Sequence, residues 1–176
     1  LYDYRIKIYN SNINNKLTII KDIFYGLNFL RSGRPKIVHG DLKPENILFK
    51  SRQSFNIVIC DFGLSEILHG DKVNFKTTIQ SGYYRSPDII YKIPFNEKID
   101  IWSAGCIMYE ILENKPLFKA NTDNNIMVSI HEVLGQPDEN YKNSDINIIM
   151  FYQFFVNKDR YKRIIIPKNL AIKLDK

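Results

Sequence analysis

Apolar residues recur at helical spacing near the start of the chain. The residues at this spacing predict an amphipathic helix of about four turns, and they are Leu17, Ile20, Ile23, Phe24, Leu27 and Leu30. An asparagine just before this stretch, Asn14 or Asn15, is expected to cap the helix, because its side chain accepts hydrogen bonds from free backbone amides. Gly33 and Pro35 are expected to end the helix, since neither residue continues one well.

A second helix is predicted over residues 100–112, where almost every residue is apolar. A helix that is apolar on all sides and too short to cross a membrane is typical of the centre of a helical domain. Asp100 stands at its start and is expected to be its N-cap. Further helices are predicted at about 125–134, before a glycine and a proline, and over the apolar residues 146–156.

Two short apolar runs predict the strands of a β-hairpin. They are Ile47–Phe49 and Ile57–Cys60, and turn-forming residues lie between them at 51–54. The chain from 61 to 87 contains glycine, threonine and serine with little periodicity, so it is predicted to be one long loop, which in a compact domain usually serves a function. One hairpin among several helices predicts a mainly α fold.

The composition is that of one folded domain. The chain has 176 residues, of which 44% are hydrophobic and 13% aromatic, and this excludes a disordered or low-complexity protein. No apolar run reaches the ~20 residues of a membrane span, and the N-terminus lacks the layout of a signal peptide. The net charge is +6, but the lysines are scattered, so neither a nucleic-acid partner nor a membrane partner is expected. Two cysteines without metal-binding spacing favour reduced thiols in a cytoplasmic or nuclear protein.

The densest cluster of polar side chains lies in residues 39–46, and an Asp-Phe-Gly tripeptide begins at Asp61. Transfer of a phosphoryl group to a hydroxyl needs a carboxylate that accepts the proton, a cation at the γ-phosphate and oxygen ligands for magnesium. Asp41 is a candidate for the base, and Lys43 is a candidate for the cation. Asn46 and Asp61 are candidates for the metal ligands, because the hairpin between them brings them close together.

The cluster and the tripeptide resemble the catalytic and magnesium-binding loops of eukaryotic protein kinases. The resemblance implies an activation segment over 61–88, whose end matches at Ser81–Asp88, and Asp100–Cys106 is similar to the central helix of the kinase C-terminal lobe (C-lobe). Within the kinases the chain is most similar to the CMGC group, particularly the dual-specificity tyrosine-regulated and homeodomain-interacting kinases. The segments that carry this finer likeness are 79–81, 116–118 and 134–137.

The resemblance implies a role for each residue of the catalytic set. Asp41 is implied to orient or deprotonate the acceptor hydroxyl, and Lys43 to neutralise the transferring phosphate. Asn46 and Asp61 are implied to bind Mg²⁺ and, together with Lys43, the nucleotide. Ser81 takes the place of the activation-segment hydroxyl that hydrogen-bonds the catalytic aspartate and lysine. The implied cofactors are therefore ATP and Mg²⁺.

Other residues are implied to shape the substrate pocket or to support the catalytic loop. Tyr84 and Arg85 stand where CMGC kinases form the pocket for the residue after the phosphorylated one, often a proline. His39 and Asp100 are implied to be structural supports, with Asp100 holding the backbone around His39. The sequence at 43–45, Lys-Pro-Glu, is the serine/threonine form of the loop, so the implied partner is a protein with a serine or threonine acceptor.

The chain also departs from the kinase pattern. None of its eight glycines forms a Gly-x-Gly-x-x-Gly loop, and no Val-Ala-Ile-Lys strand precedes the cluster. We therefore expect residues 1–141 to be a kinase C-lobe without its N-terminal lobe (N-lobe), which a longer chain would supply, followed by an unassigned extension over 142–176. The expected fold is a helical bundle with a short β-hairpin that carries the catalytic and magnesium loops. Gly40 replaces the arginine of the family's catalytic loop, and Ser86-Pro87-Asp88 replaces its Ala-Pro-Glu.

Two other functions fit part of the sequence. A kinase-like lobe without an N-lobe would serve as a scaffold or binding module, as in pseudokinases, but a scaffold has no chemical need for the full catalytic set. A small-molecule phosphotransferase also matches, because His39–Leu42 followed by Asn46 resembles aminoglycoside and choline kinases. The Lys-Pro-Glu and Asp-Phe-Gly sequences argue against this second alternative.

Overall fold

Two helices, four short strands and three further helices follow one another along the described chain, in the mainly α arrangement that the sequence predicts. The structure is a computed structural model, and it describes residue 1 and residues 5–69, 79–119 and 121–135. Its helices are α1 (Arg5–Tyr9), α2 (Ile13–Ser32), α3 (Pro87–Ile90), α4 (Lys98–Glu113) and α5 (Asp123–Leu134). Its strands are β1 (Ile37–Val38), β2 (Ile47–Phe49), β3 (Ile57–Ile59) and β4 (Glu66–Ile67), and 3₁₀ turns lie at Pro44–Asn46 and Gly82–Tyr84. The central helix α4 packs against α2 and α1, and α2 also packs against β3.

The predicted first helix is confirmed as α2, with a different cap. The side chain of Asn12 accepts a hydrogen bond from the backbone amide of Asn15 (3.0 Å). The expectation that Asn14 or Asn15 is the cap is wrong, because Asn12 has the extended backbone (φ −69°, ψ 164°) that a cap requires. The helix ends before Gly33, as expected. Its buried apolar side chains are Ile19, Ile20, Ile23, Leu27 and Leu30.

The predicted central helix is confirmed as α4, but Asp100 is not its N-cap. The helix begins at Lys98, so Asp100 lies inside its first turn. The carboxylate of Asp100 binds the loop after β1 instead of the amides of its own helix. At the other end, Asn114 has a left-handed backbone (φ 57°) and its amide donates to the main-chain oxygen of Glu110 (2.8 Å).

Helix α5 confirms the prediction at 125–134 and begins slightly earlier, at Asp123. The Thr122 side chain accepts a hydrogen bond from the backbone amide of Asn125 (3.3 Å) and so caps the first turn. Gly135 follows the last turn with a φ of 85°, which glycine adopts without strain. The other expectations for the C-terminal part lie outside the described residues, namely Pro137, the helix over 146–156 and the extension over 142–176.

The predicted hairpin is confirmed as β2 and β3. These strands are antiparallel, with Ile47 opposite Ile59, Leu48 opposite Val58 and Phe49 opposite Ile57. Ile47 and Ile57 are buried, whereas Leu48 is 49% exposed and Val58 is 42% exposed. One face of the hairpin therefore belongs to the core, and the other presents an apolar pair to the surface.

The stretch predicted as one long loop, 61–87, contains regular structure in its described parts. Strand β4 pairs with β1 in a second antiparallel sheet, with Ile37 opposite Ile67 and Val38 opposite Glu66. A 3₁₀ turn occupies 82–84, and α3 begins at Pro87. A strand of two residues is too short to show periodicity, and its pairing partner lies far away in the sequence, so the pattern along the chain does not predict it.

The two cysteines are free thiols, as the sequence predicts. Cys106 is buried in α4, where burial raises the pKa of its thiol to about 12. Cys60 is half-buried at the end of the hairpin. Across the described ranges, no helix is both long enough and apolar enough to cross a membrane.

A buried histidine makes the stability of the fold depend on pH. The Nε2 atom of His131 in α5 is hydrogen-bonded to the hydroxyl of Tyr91, and burial lowers the pKa of His131 from its ordinary 6.5 to about 4. Between these two values the unfolded chain binds a proton at His131 and the folded chain does not. We therefore expect the free energy of unfolding to fall by about 1 kcal/mol per pH unit as the pH decreases from about 6.5 towards 4.

Urea unfolding at about pH 7, 5.5 and 4.5 measures this slope. The matched control is His131→Phe, which keeps an aromatic ring but has no proton to bind, so its slope should be flatter. Comparing the two proteins removes the contribution of Asp88 and Asp100, since burial raises the pKa of both carboxyls in either protein. Equal slopes in the two proteins would contradict the role given to His131.

Candidate active site

A buried carboxylate from the central helix holds the start of the loop at 39–46. The carboxylate of Asp100 accepts hydrogen bonds from the backbone amides of His39 (2.7 Å) and Gly40 (3.0 Å). Asp100 is only 3% exposed, and burial raises the pKa of its carboxyl, while these two hydrogen bonds oppose the rise. Helix α4 therefore holds the start of this loop through the carboxylate of Asp100.

The His39 ring links this loop to the segment that precedes Asp61. The ring is fully buried, its Nε2 donates to the main-chain oxygen of Cys60 (3.1 Å), and its Nδ1 accepts from the backbone amide of Asp41 (3.2 Å). These partners assign the proton to Nε2. Ser65 adds a hydrogen bond from its hydroxyl to the main-chain oxygen of His39 (3.0 Å). Both nitrogens of the ring are occupied, so His39 has the contacts of a structural residue.

Three polar side chains, those of Asp41, Lys43 and Ser81, form a closed ring of hydrogen bonds at the centre of the site, the candidate catalytic ring. Lys43 Nζ lies 2.6 Å from Asp41 Oδ2 and 3.1 Å from Ser81 Oγ, and Ser81 Oγ donates to Asp41 Oδ1 (2.9 Å). The Lys43 and Asp41 side chains are 24% and 10% exposed, so solvent screens this pair less than a surface pair. The structure thus brings Ser81, from the far end of the stretch 61–88, onto the loop at 39–46.

The two proposed metal ligands lie at the same end of the hairpin, just before β2 and just after β3. Asn46 Nδ2 donates to the main-chain oxygen of Asp41 (2.9 Å), which fixes the amide and leaves Oδ1 without a partner in the part of the chain that the structure describes. The main-chain oxygen of Asn46 accepts a hydrogen bond from the backbone amide of Cys60 (2.9 Å). Asp61 directly follows Cys60 in the chain, so its backbone lies close to that of Asn46. The Asp61 carboxylate is on an exposed residue and accepts from the backbone amide of Gly63 (3.3 Å).

The oxygen atoms at this place suit magnesium. Mg²⁺ prefers oxygen ligands, takes one or two carboxylates from a protein and keeps water or substrate phosphate at its other positions. Asn46 offers an amide oxygen and Asp61 offers a carboxylate, which matches that requirement. Among the described residues, no three His, Cys, Asp or Glu side chains are grouped to hold a metal by themselves. The site therefore fits a magnesium ion that arrives with phosphate ligands.

The hairpin also carries an exposed apolar pair that the sequence analysis does not predict. Leu48 and Val58 face each other across the hairpin and are exposed, while their neighbours Ile47 and Ile57 are buried. The alternation of strand faces, with period two, is the signal that could have identified them. The same hairpin thus carries an apolar surface together with the proposed metal ligands at one end.

Tyr84 and Arg85 lie to one side of the catalytic ring. Arg85 Nε and Nη2 donate to the main-chain oxygen of Gln80 (3.2 and 2.8 Å), and Nη1 pairs with Asp123. The hydroxyl of Tyr84 donates to Glu110 (2.6 Å), and burial, together with this carboxylate, raises the pKa of Tyr84. Tyr84 is mostly buried, so only a small part of it is accessible to a substrate.

A cleft of about 680 Å³ opens beside the catalytic ring. It runs between the catalytic loop, the turn at 82–84 and the segment after α4. Side chains of both charges line it, including Lys43, Glu45, Ser81, Tyr84, Glu110 and Lys119. The groove thus presents charges of both signs next to Lys43 and Ser81.

Comparison with known proteins agrees with this geometry. A family model described as protein kinase domain matches residues 5–173. The chain is 43% identical over 104 residues to the dual specificity tyrosine-phosphorylation-regulated kinase 2 of Drosophila melanogaster, which covers 59% of this chain and 14% of the relative. It is 34% identical over 119 residues to the homeodomain-interacting protein kinase 1 of Caenorhabditis elegans, which covers 66% of this chain and 14% of the relative.

A third relative is a mitogen-activated protein kinase. The chain is 40% identical over 116 residues to the mitogen-activated protein kinase sty1 of Schizosaccharomyces pombe, which covers 65% of this chain and 31% of the relative. The chain thus spans less than one third of the length of each of these relatives.

Proposed function

Because the chain belongs to the protein kinase domain family, we propose that it supplies the catalytic lobe of an ATP-dependent kinase that phosphorylates protein serine or threonine residues. The observation that carries this proposal is the closed ring of hydrogen bonds among Asp41, Lys43 and Ser81. A chain that served only as a scaffold has no need to hold a carboxylate, an ammonium group and a hydroxyl in mutual contact.

In the proposed reaction, each side chain of the ring has a distinct task. Asp41 accepts a hydrogen bond from the acceptor hydroxyl of the substrate, orients it and then accepts its proton. Lys43 supplies positive charge for the transferring phosphoryl group, and Ser81 holds both side chains in one arrangement before the substrate binds. When bound, Mg²⁺ neutralises phosphate charge, and Asn46 Oδ1 and the Asp61 carboxylate are the ligands that would hold it.

The exposed apolar pair of the hairpin, Leu48 and Val58, is proposed to bind the base of ATP. A flat aromatic base gains free energy by covering apolar surface, and this pair lies between the two proposed metal ligands along the chain. The base and the phosphates of one nucleotide would therefore bind to a single hairpin.

The carbonyl of Gln80 is the basis for a proposed preference for proline after the phosphorylated residue. Arg85 donates two hydrogen bonds to this carbonyl, so it is not available to the backbone amide of a bound peptide. Most residues would lose a hydrogen bond there, but proline has no amide hydrogen to satisfy. A serine-proline peptide should therefore have a kcat/KM at least about ten times that of its serine-alanine counterpart.

The proposed kinase also needs an N-lobe that covers the nucleotide. The sequence contains no glycine-rich loop and no strand lysine before the catalytic loop, although positioning of the phosphates is the main source of catalysis in this reaction. We expect the complete protein to transfer phosphate from ATP to a peptide, and the isolated 176-residue chain to show little or no transfer.

The experiment compares these two proteins with radiolabelled ATP and the pair of peptides described above. Transfer by the complete protein, abolished by Asp41→Asn, would support the proposal. Binding of Mg-ATP without transfer would favour the scaffold function instead. Micromolar binding together with turnover by the isolated chain would contradict the need for an N-lobe.

Gly40 leads to a prediction about how this kinase is switched. In kinases that are activated by a phosphate in the activation segment, arginines pair with the phosphate and order the segment. Gly40 stands where the family has the first of these arginines, and Gly82 stands where relatives often have a second. We expect a Thr77→Ala, Thr78→Ala double variant, at positions outside the described residues, to keep most of the activity of the complete protein.

Phosphatase treatment of the unmodified protein should give the same result as the double variant, which serves as the control. A loss of tenfold or more in either case, about 1.4 kcal/mol in the barrier, would show that a phosphate orders the segment through a different cation.

A further inference from the structure

Gln80 connects the activation segment to the catalytic loop through its backbone. It is only 3% exposed. Its amide donates to the main-chain oxygen of Gly40 (2.8 Å), and its carbonyl accepts two hydrogen bonds from the Arg85 guanidinium (3.2 and 2.8 Å). The backbone of this residue is therefore bound on one side to the catalytic loop and on the other to the end of the segment.

The side chain of Gln80 binds helix α4 and makes a further contact with the end of the segment. Its Nε2 donates to the main-chain oxygen of Ile99 and to Ser103 Oγ, both at 2.8 Å. Its Oε1 accepts from the backbone amide of Ser86 (2.8 Å). Both ends of the amide are used, so a glutamate of the same shape would lose the donor and a methionine would lose both ends.

The backbone of Gln80 is in a conformation that needs this support. Its φ is 59°, in the left-handed region that strains a residue with a Cβ atom. The residue that follows it is Ser81, whose hydroxyl contacts Asp41 and Lys43. A relaxation of the Gln80 backbone would therefore move Ser81 away from the catalytic ring.

We propose that Gln80 is a positioning residue that holds Ser81 against Asp41 and Lys43, and that its hydrogen bonds to α4 and to Gly40 do the work of ordering the segment without a phosphate. This inference rests on the proposed kinase function. It adds to that function the residue through which the central helix sets the geometry of the catalytic ring.

The test uses Gln80→Met in the complete protein, because methionine has a similar length and shape but makes no hydrogen bonds there. We expect kcat to fall by at least about tenfold, while the KM for ATP changes by less than about twofold, since the nucleotide ligands are on the hairpin. Arg85→Lys keeps the charge but not the two parallel hydrogen bonds to the Gln80 carbonyl, so it should lower kcat by a smaller factor.

The matched control is Asp123→Asn, which removes an ion pair of the same arginine but leaves Gln80 untouched. The Asp123 side chain is 49% exposed, so its loss should change kcat by less than about threefold. An equal loss in Asp123→Asn and Gln80→Met, or an unchanged kcat in Gln80→Met, would overturn the proposal.

Hydrogen exchange gives a second measurement that does not depend on activity. The amides in 79–86 should exchange at least about ten times faster in Gln80→Met than in the unmodified protein, while those of α4 keep their protection. If the unmodified protein transfers no phosphate, the kinase function fails, and this measurement still decides the positioning role. Equal exchange in 79–86 in the two proteins would overturn it.

Discussion

Replacing Asp41 with asparagine should lower the kcat of the complete kinase by about 10²–10⁴-fold, the effect typical of a lost general base. The amide has the shape of the carboxylate but cannot accept the proton of the substrate hydroxyl. It also has only one oxygen for two donors, Lys43 Nζ and Ser81 Oγ, which now bind different oxygens of Asp41. Steady-state kinetics with saturating ATP and a serine peptide measure the change.

A contrasting variant, Asp61→Asn, separates proton transfer from metal binding. The Asp61 carboxylate does not contact the catalytic ring among the described residues, and carboxylate oxygen is a main ligand of Mg²⁺. Its loss should raise the KM for Mg-ATP and the magnesium concentration needed for activity. Glu113→Gln, an exposed carboxylate at the end of α4, is the control for a general effect of charge. Phosphorylation rates near those of the unmodified protein in both aspartate variants would remove the assignment.

Asp100→Ala should be among the most destabilising single substitutions in the chain. It removes the acceptor of two buried backbone amides, those of His39 and Gly40. An unsatisfied buried donor costs about 1–3 kcal/mol, so the expected loss in the free energy of unfolding is about 2–5 kcal/mol. Denaturant unfolding of the unmodified and variant proteins measures it.

Two comparisons make this second prediction specific. Asp100→Asn keeps one acceptor oxygen and should lose less stability than Asp100→Ala. Glu113→Ala changes an exposed acidic residue in the same helix and should stay within about 0.5 kcal/mol of the unmodified protein. A loss below about 1 kcal/mol for Asp100→Ala would show that water replaces the carboxylate as the acceptor for these two amides, and that Asp100 is not needed to hold the loop.

The sequence predicts best those elements whose apolar or turn-forming residues recur at regular spacing within a short stretch of the chain. The apolar positions of α2, from Leu17 to Leu30, repeat at helical spacing because one face of that helix is buried. The hairpin was predictable because apolar runs flank a turn. Strand β4 was not, since Ile67 pairs with Ile37 from a distant part of the chain. The sequence does not single out the cap at Asn12, because four asparagines lie within residues 10–15.

The same distinction holds for the candidate site. The catalytic loop is continuous in sequence, so the roles of Asp41, Lys43 and Asn46 could be proposed from their order. Gln80 has no motif of its own, and its importance comes from partners on three separate elements. Asp100 was expected both to cap α4 and to hold the loop. Only the position of α4 relative to the loop shows that the carboxylate of Asp100 binds the amides of the loop and does not cap the helix.

The left-handed backbone of Gly40 limits how this lobe could change in evolution. Its φ is 77°, and any residue with a Cβ atom would pay about 1–2 kcal/mol to adopt it. An arginine introduced there would lower the free energy of unfolding at once, and a phosphate on the segment would still lack the second arginine that Gly82 replaces. Restoring both arginines would therefore take two substitutions, and the one at Gly40 would lower stability.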